Sequence, residues 1–219
     1  MKAKKIFKTL LATLALLLAT QANATLVLTV SDGTNTETLT SDTGAIMRTG
    51  VLGSWLFNVT TGLGTDLLGT DTLDVMNLTS VNVSGGTGDL FIFLSETDLD
   101  KAPAQWLTTI GGETDGTLEF SAFVDAANGA YIPNTYTTIT DTLFSTGQLG
   151  SGVVGYTDTG SLPDMLNYSL TLAAVIHHNN GIQSSSFDFK IKVPEPSSLA
   201  LMGLGLIAFG FRLRKRTGR

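Results

Sequence analysis

Apolar and charged residues alternate strictly near the C-terminal end of the chain, where Phe187, Phe189, Ile191 and Val193 are separated by Asp and Lys. Successive side chains of a β-strand point to opposite faces, so this pattern predicts a strand with one buried and one solvated face. Residues 90–94 (LFIFL) are apolar at every position. That pattern predicts a central strand of a sheet that is covered on both sides.

Shorter apolar runs, separated by Gly- and Asn-rich turns, predict further strands. They are Leu26–Val30, Trp55–Thr60, Leu73–Ser84, Leu118–Val124 and Leu166–His177, and the apolar run above extends to Leu90–Ser95. Thr occurs 29 times between residues 25 and 193, and Thr favours pleated, half-solvated strands over helices. About eight strands predict an all-β fold, an antiparallel β-sandwich, with a jelly roll as one arrangement that fits.

The N-terminal segment has the three parts of a secretory signal peptide. Residues 1–9 are basic, residues 10–19 are apolar, and Ala22 and Ala24 put small residues at the positions that a signal peptidase reads. We therefore expect a signal helix that is cleaved before Thr25. An uncleaved membrane anchor or an amphipathic helix is the alternative, but the apolar run is shorter than the roughly 20 residues that span a bilayer.

A second apolar segment follows Pro194, Glu195 and Pro196 near the other end. Proline fixes its own backbone and lacks an N–H donor, so the preceding strand must stop there. Residues 197–213 would span about 25 Å as a transmembrane helix, slightly less than the roughly 30 Å of a hydrocarbon core. The basic residues that would stop transfer and stay in the cytoplasm are Arg212, Arg214, Lys215 and Arg216.

This order of Pro-Glu-Pro, a short Gly- and Leu-rich span and an Arg-rich end resembles the PEP-CTERM sorting domain. The resemblance covers only about 25 residues, and a simple tail anchor after a proline linker is the alternative. It implies that Pro194, Glu195 and Pro196 are recognised by exosortase, a membrane transpeptidase-like protease of Gram-negative bacteria that make exopolysaccharide. The chain would then be exported, held transiently in the inner membrane, and released or attached at the cell surface.

The predicted domains follow from these two ends. Residues 1–24 are the signal peptide, residues 25–192 the β-sandwich body, and residues 193–219 the sorting signal with its transmembrane helix and basic tail. Signal peptidase and exosortase are the expected partners during export.

Charge is sorted by position along the chain. Between residues 25 and 193 there are 4 basic and 18 acidic residues, a net charge of −14, although the whole chain of 219 residues carries only −6. An acidic body argues against binding to nucleic acid, whose phosphates are bound by Lys and Arg. The chain has no cysteine, which excludes disulfides, thiol nucleophiles and Cys-ligated metals.

Three carboxylates, Glu96, Asp98 and Asp100, would fall on one side of an extended strand. Oxygen-rich clusters suit Ca²⁺, so these residues are calcium candidates. The segment lacks the glycine and the spacing of a calcium loop, and a solvated acidic turn is the commoner explanation. We expect no other metal or cofactor.

His177 and His178 are the only histidines. Neighbouring side chains of a strand point to opposite faces, so the pair should not hold one ion. No Gly-x-Ser-x-Gly elbow of a serine hydrolase occurs, although a carboxylate pair that meets only in the fold stays open. Aromatic residues that could form a sugar-stacking platform are Trp55, Trp106, Tyr131, Tyr136 and Tyr156.

The sequence thus predicts an exported surface or matrix protein that is not an enzyme and acts through interactions. A carbohydrate- or calcium-binding module of the exopolysaccharide matrix is the alternative, and a secreted hydrolase is a third. Nothing in the body itself names a ligand.

Overall fold

A computed structural model describes residues 24–65, 73–99, 105–131, 141–162, 165 and 167–194. These residues contain twelve strands. The strands are β1 (Leu26–Ser31), β2 (Thr36–Ser41), β3 (Ala45–Leu52), β4 (Trp55–Leu63), β5 (Leu73–Gly85), β6 (Gly88–Leu99), β7 (Gln105–Thr114), β8 (Thr117–Asp125), β9 (Asp141–Leu149), β10 (Gly152–Ser161), β11 (Tyr168–His178) and β12 (Ser184–Pro194).

The strands form two six-stranded antiparallel sheets that pack face to face. Sheet I has the order β2-β1-β6-β11-β8-β9, and sheet II has the order β10-β7-β12-β5-β4-β3. The predicted β-sandwich is therefore confirmed. All seven predicted strands are present, and five more (β2, β3, β7, β9 and β10) accompany them.

The last eight strands have the connectivity of a jelly roll. They pair as a rolled-up hairpin, β5 with β12, β6 with β11, β7 with β10 and β8 with β9. Consecutive strands of this set cross repeatedly from one sheet to the other, as in jelly rolls. Strands β1 to β4 extend the two sheets outward, with β1 and β2 beside β6 and with β4 and β3 beside β5.

The core lies between the sheets and is built from alternate residues of the strands. In sheet I, Leu28 and Leu172 are fully buried, and in sheet II Phe57 and Phe189 are. Phe120 of β8 reaches across the interface, and its ring meets that of Phe189 edge-on at 5.4 Å. Such edge-to-face contacts are favourable between aromatic rings and fix how the two sheets sit on each other.

A tight turn joins β5 to β6 and crosses the ring of Trp55. Gly85 and Gly86 have φ values of +72° and +69°, which glycine adopts without steric cost. A Cβ at position 86 would lie 2.1 Å from the Trp55 ring. Glycine at this position therefore lets the turn close over a buried tryptophan.

The sandwich ends two residues beyond the predicted boundary at residue 192. Strand β12 continues to Pro194, because Val193 is a core residue with only 1% of its surface exposed. Of the predicted signal helix only Ala24 is described, and of the predicted transmembrane helix no residue is described. Within the described ranges, no helix has the length and apolar character needed to cross a membrane.

Candidate functional site

The C-terminal sorting signal begins inside the fold. Lys192 and Val193 are paired in β12, and Pro194 is the last residue of that strand, opposite Leu73 of β5. The sheet ladder ends there, as expected for a residue that has no N–H to donate. Glu195, Pro196 and the basic residues Arg212, Arg214, Lys215 and Arg216 lie outside the described residues.

The predicted signal-peptidase site adjoins the fold in the same way. Ala24 is 4% exposed, and Thr25 directly precedes β1. The Thr25 carbonyl accepts a hydrogen bond from the Thr97 N–H at 3.0 Å, and its hydroxyl donates to Asp42 at 3.0 Å. The sandwich therefore starts within one residue of the predicted cleavage bond, while Ala22 is outside the described residues.

The outer face of sheet I carries a groove of about 490 Å³. The central strand β11 forms its floor with Val175 and Ala173. Strand β6 borders the floor on one side with two phenylalanines, since Phe91 pairs with Val175 and Phe93 with Ala173. We call this feature the sheet I groove.

The opposite side of the sheet I groove is polar. Strand β8 places Glu119 beside Val175 and Ser121 beside Ala173. Each row across the three strands therefore runs from an aromatic ring over a small aliphatic side chain to a hydrogen-bonding side chain.

Tyr131 lies at one end of the groove. Its backbone N–H donates to the Ser95 hydroxyl at 3.0 Å, which fixes the loop after β8 over the face of the sheet. The Tyr131 ring lies 4.4 Å from that of Phe93 and 6.4 Å from that of Phe123. Phe91 and Phe93 are parallel, with their centroids 6.4 Å apart. The four rings of Phe91, Phe93, Tyr131 and Phe123 are therefore neighbours along the aromatic side of the groove.

Most of the predicted sugar-stacking platform is not assembled. Trp55 and Trp106 are buried in the core, at 2% and 4% exposure. Tyr156 is half-buried and stacks on Phe144, with 6.0 Å between the ring centroids. Tyr131 alone of the predicted set lines the sheet I groove, and Tyr136 lies outside the described residues.

The calcium candidates have protein partners. Glu96 is 1% exposed and accepts hydrogen bonds from the N–H and hydroxyl of Thr65 at 2.6 and 2.9 Å. Asp98 accepts from the side-chain amide of Asn128 at 2.7 Å and has a φ of +61°. This left-handed conformation breaks the extended geometry that would align the carboxylates.

Asp100 lies outside the described residues. Among those described, no three His, Asp or Glu side chains are grouped so that they could hold a metal ion.

The two histidines point to opposite faces, as the strand pattern predicts. On the outer face of sheet I, the Nδ1 atom of His177 lies 2.7 Å from the Asp89 carboxylate, and its Nε2 atom lies 3.2 Å from the Asn179 side-chain oxygen. The hydrogen bond to Asp89 raises the pKa of His177 above its ordinary value of 6.5, against an opposing effect of burial.

His178 forms a buried pair with Ser185. Its Nε2 atom lies 2.9 Å from the Ser185 hydroxyl, and its Nδ1 atom lies 2.7 Å from the Gly85 carbonyl. Nδ1 must donate to that carbonyl, so Nε2 of a neutral ring accepts the Ser185 proton. The exposures of His178 and Ser185 are 0% and 3%, so the pair bonds the sheet ends together and does not present a nucleophile to solvent.

The outer face of sheet II differs from that of sheet I. One row across it contains Thr49, Asn58, Asn82, Ser186 and Glu113 as consecutive partners on neighbouring strands. A groove of about 560 Å³ lies over this row. Its outward-facing side chains are amides, hydroxyls and acids with exposed aliphatic residues, and the ring that borders it, Phe57, is 1% exposed.

Comparison with known sequences identifies the C-terminal segment. Residues 192–215 match the profile of the PEP-CTERM protein-sorting motif. The chain matches no curated protein. The matched segment starts two residues before Pro194, so it overlaps the end of β12.

Solved structures with a similar arrangement are distant. One is the K1 cleaved adhesin domain of Lys-gingipain from Porphyromonas gingivalis W83, with 15% identity, a TM-score of 0.36 and coverage of 69% of this chain and 98% of that domain. Another is the mannan-recognising carbohydrate-binding module TmCBM27, with 9% identity, a TM-score of 0.31 and coverage of 70% and 84%.

Proposed function

We propose, from the PEP-CTERM protein-sorting motif that this chain carries, that it is an exported surface or matrix protein of a Gram-negative bacterium. Exosortase would process its C-terminal end, and the body would act by binding and not by catalysis. The observation that carries the proposal is the junction at Pro194. There the last strand of the sandwich ends, within the first residues of the sorting motif.

This junction suits proteolytic processing of a folded protein. A protease must bind an extended backbone that is not already paired in a sheet. Pro194 is the last paired residue of β12, and neither Pro194 nor Pro196 has an N–H that could donate to a sheet ladder. A bond beyond this last pair could therefore be cut while the core residues of both sheets stay in place.

The N-terminal cut would spare the sandwich as well. Cleavage before Thr25 removes no residue of β1, which begins at Leu26. The first strand lies in sheet I and the last in sheet II, each between two neighbours. Both export signals are thus attached directly to interior strands, and the mature body keeps all twelve strands.

The charge distribution also supports removal of both terminal segments during export. Nine of the 13 basic residues lie outside residues 25–193. Basic residues that flank an apolar segment stay on the cytoplasmic side of the membrane during export. Their removal would leave a body with a net charge of −14, which favours a soluble acidic protein outside the cell.

A binding role agrees with the hydrogen bonds that the polar groups of the body make. The Ser185–His178 pair is buried, and Glu96 is bonded to Thr65. The accessible feature with mixed chemistry is instead the sheet I groove, with its aromatic and polar sides. Calcium binding at Glu96, Asp98 and Asp100 stays a prediction, which thermal unfolding with and without added Ca²⁺ would test.

Substitution of the recognition residues tests the proposal in the native host. We expect the triple variant Pro194→Ala, Glu195→Ala, Pro196→Ala to accumulate at full length in the inner-membrane fraction. The wild-type chain and the matched control Pro163→Ala, which changes a proline of the body, should be processed. Normal processing of the triple variant would contradict the proposed role of these three residues.

A further inference from the structure

We propose that the sheet I groove binds a neutral polysaccharide, with the sugar rings stacked against the aromatic side and their hydroxyls bonded to the polar side. This inference rests on the proposed function, because a protein delivered outside the cell would meet such polymers there. It names the partner class and the residues that the binding role would use.

The geometry of the aromatic side fits a stacked ligand. Phe91 and Phe93 lie two residues apart on β6, so both point to the outer face. Their ring planes differ by only 2°. Phe93 is itself only 7% exposed, so the rings that a ligand can reach are those of Phe91 and Tyr131, whose half-buried side chains leave part of each ring accessible. The C–H groups on the face of a sugar ring are apolar and weakly positive, which suits the negative face of an aromatic ring.

The polar side supplies the complementary chemistry. Glu119 is half-buried, and among the described residues its carboxylate accepts a long hydrogen bond of 3.4 Å from the Ser145 hydroxyl. An ionised carboxylate only accepts hydrogen bonds, and sugar hydroxyls are donors to such a group. Ser121, in the next row, can donate or accept. A few polar groups beside apolar walls are typical of small-molecule and glycan sites.

The groove also has an extended shape. Its rows follow β11 from Val175 to Ala173, and Tyr131 with Phe123 continues the aromatic surface beyond them. Consecutive rows are two residues apart, about 6.6 Å along a strand. Because Phe93 and Ala173 are buried, a chain of linked sugars running along the strands would contact the accessible rings of Phe91 and Tyr131 in turn, which favours a polymer over a single sugar.

Charge excludes an anionic polymer from the same site. The body has a net charge of −14, and Glu119 and Asp89 lie on the same outer face. The His177 ring on that face is already bonded to Asp89. Like charges that meet across an interface are costly, so uronate- or sulfate-bearing chains would be repelled. The row of amides and hydroxyls on sheet II is not bordered by accessible aromatic rings among the described residues, so it lacks the stacking surface of the sheet I groove.

The test uses the full chain in detergent micelles, so that it does not depend on processing. Isothermal titration calorimetry with mannan, dextran and laminarin as neutral polymers, and alginate as the anionic one, measures binding. We expect heat with at least one neutral polymer and none with alginate. Phe91→Ala should weaken binding at least tenfold and Glu119→Gln several-fold, while Leu56→Ala, which removes an exposed side chain of sheet II, should leave it unchanged.

A second variant guards against loss of fold in Phe91→Ala. Ser121 is half-exposed on the polar side of the groove. Ser121→Tyr adds a large side chain there and should block the groove while every aromatic ring stays in place. Circular dichroism and thermal unfolding establish that each variant is folded. Absence of heat with all three neutral polymers, binding that no groove variant alters, or binding of alginate alone would overturn the proposal. A negative result here leaves processing of the C-terminal end unaffected, which is measured separately.

Discussion

Thr65 holds both oxygens of the Glu96 carboxylate, with its N–H 2.6 Å from one and its hydroxyl 2.9 Å from the other. Thr65 follows the end of β4 in sheet II, and Glu96 belongs to β6 in sheet I. The contact therefore fastens the two sheets together through a carboxyl group that is 1% exposed. A buried carboxylate needs such donors, because its desolvation is costly otherwise.

We predict that Glu96→Ala destabilises the fold. The change leaves the buried Thr65 donors without their acceptor, and a buried group left without its hydrogen-bond partner costs about 1–3 kcal/mol. Urea unfolding followed by circular dichroism would measure the difference. Glu113→Ala, at an exposed position of β7, is the control and should change stability by less than about 0.5 kcal/mol. Equal stability of the Glu96 variant and wild type would refute the role assigned to this contact.

Gly86→Ala should be strongly destabilising. The backbone at this position has a φ of +69°, and the added Cβ would lie 2.1 Å from the buried Trp55 ring. The turn or the ring must move, at a cost of about 3 kcal/mol or more. Gly181→Ala is a matched control, since a Cβ there meets nothing within 4 Å. Comparable melting temperatures for the two variants would argue against the packing described for this turn.

The His177–Asp89 pair should make stability depend on pH. The hydrogen bond to Asp89 raises the pKa of His177 in the folded state above 6.5, so the folded state binds the proton more tightly than the unfolded chain does. The stabilisation is then fully present below about pH 6.5 and is lost as pH rises through the raised pKa. NMR titration of the His177 ring would show the raised pKa, and Asp89→Asn should lower it.

The same pair gives a check on stability itself. Wild type should lose more stability than Asp89→Asn between pH 6 and a pH above the raised pKa of His177, because only wild type has the proton-linked pair. Parallel stability curves for the two proteins across that range would contradict the linkage.

Val193→Ala should destabilise the body although the residue lies in the sorting motif. Val193 is 1% exposed and packs in the core, and removal of two buried methyl groups costs about 1–3 kcal/mol. Lys192→Ala, its neighbour on the outer face, should have little effect on stability. Thermal unfolding of the two variants compares them directly. An unchanged midpoint for Val193→Ala would mean that β12 ends earlier than described.

The sequence predicted the interior of the sandwich better than its borders. The four edge strands β2, β3, β9 and β10 were all missed, because an edge strand such as β2 (TETLTS) buries little and carries few apolar residues. Strand β7 was missed for another reason. Its alternate residues Trp106, Thr108 and Ile110 face the core. The polar Thr108 among them and the consecutive glycines Gly111 and Gly112 weaken the apolar pattern by which a strand is recognised.

The sheet I groove shows where local pattern stops being informative. The apolar run at residues 90–94 correctly predicted a central strand, since β6 lies between β1 and β11. It did not show that Phe91 and Phe93 face a groove. That depends on the small residues Ala173 and Ser121, distant in sequence, and on the loop that brings Tyr131 over Phe93. Pairing across strands decides these neighbours, and periodicity within a strand does not.

The most direct test of the account is the intact mass of the mature protein purified from its native host. We predict a chain that begins at Thr25 and ends on the C-terminal side of Val193, without Arg212–Arg219. Such a mass would match a body that keeps β1 whole, and β12 at least as far as its core residue Val193, after both cuts. A mature form that retains Arg219, or one that has lost Val193, would contradict the proposed processing at the junction between the sandwich and its sorting motif.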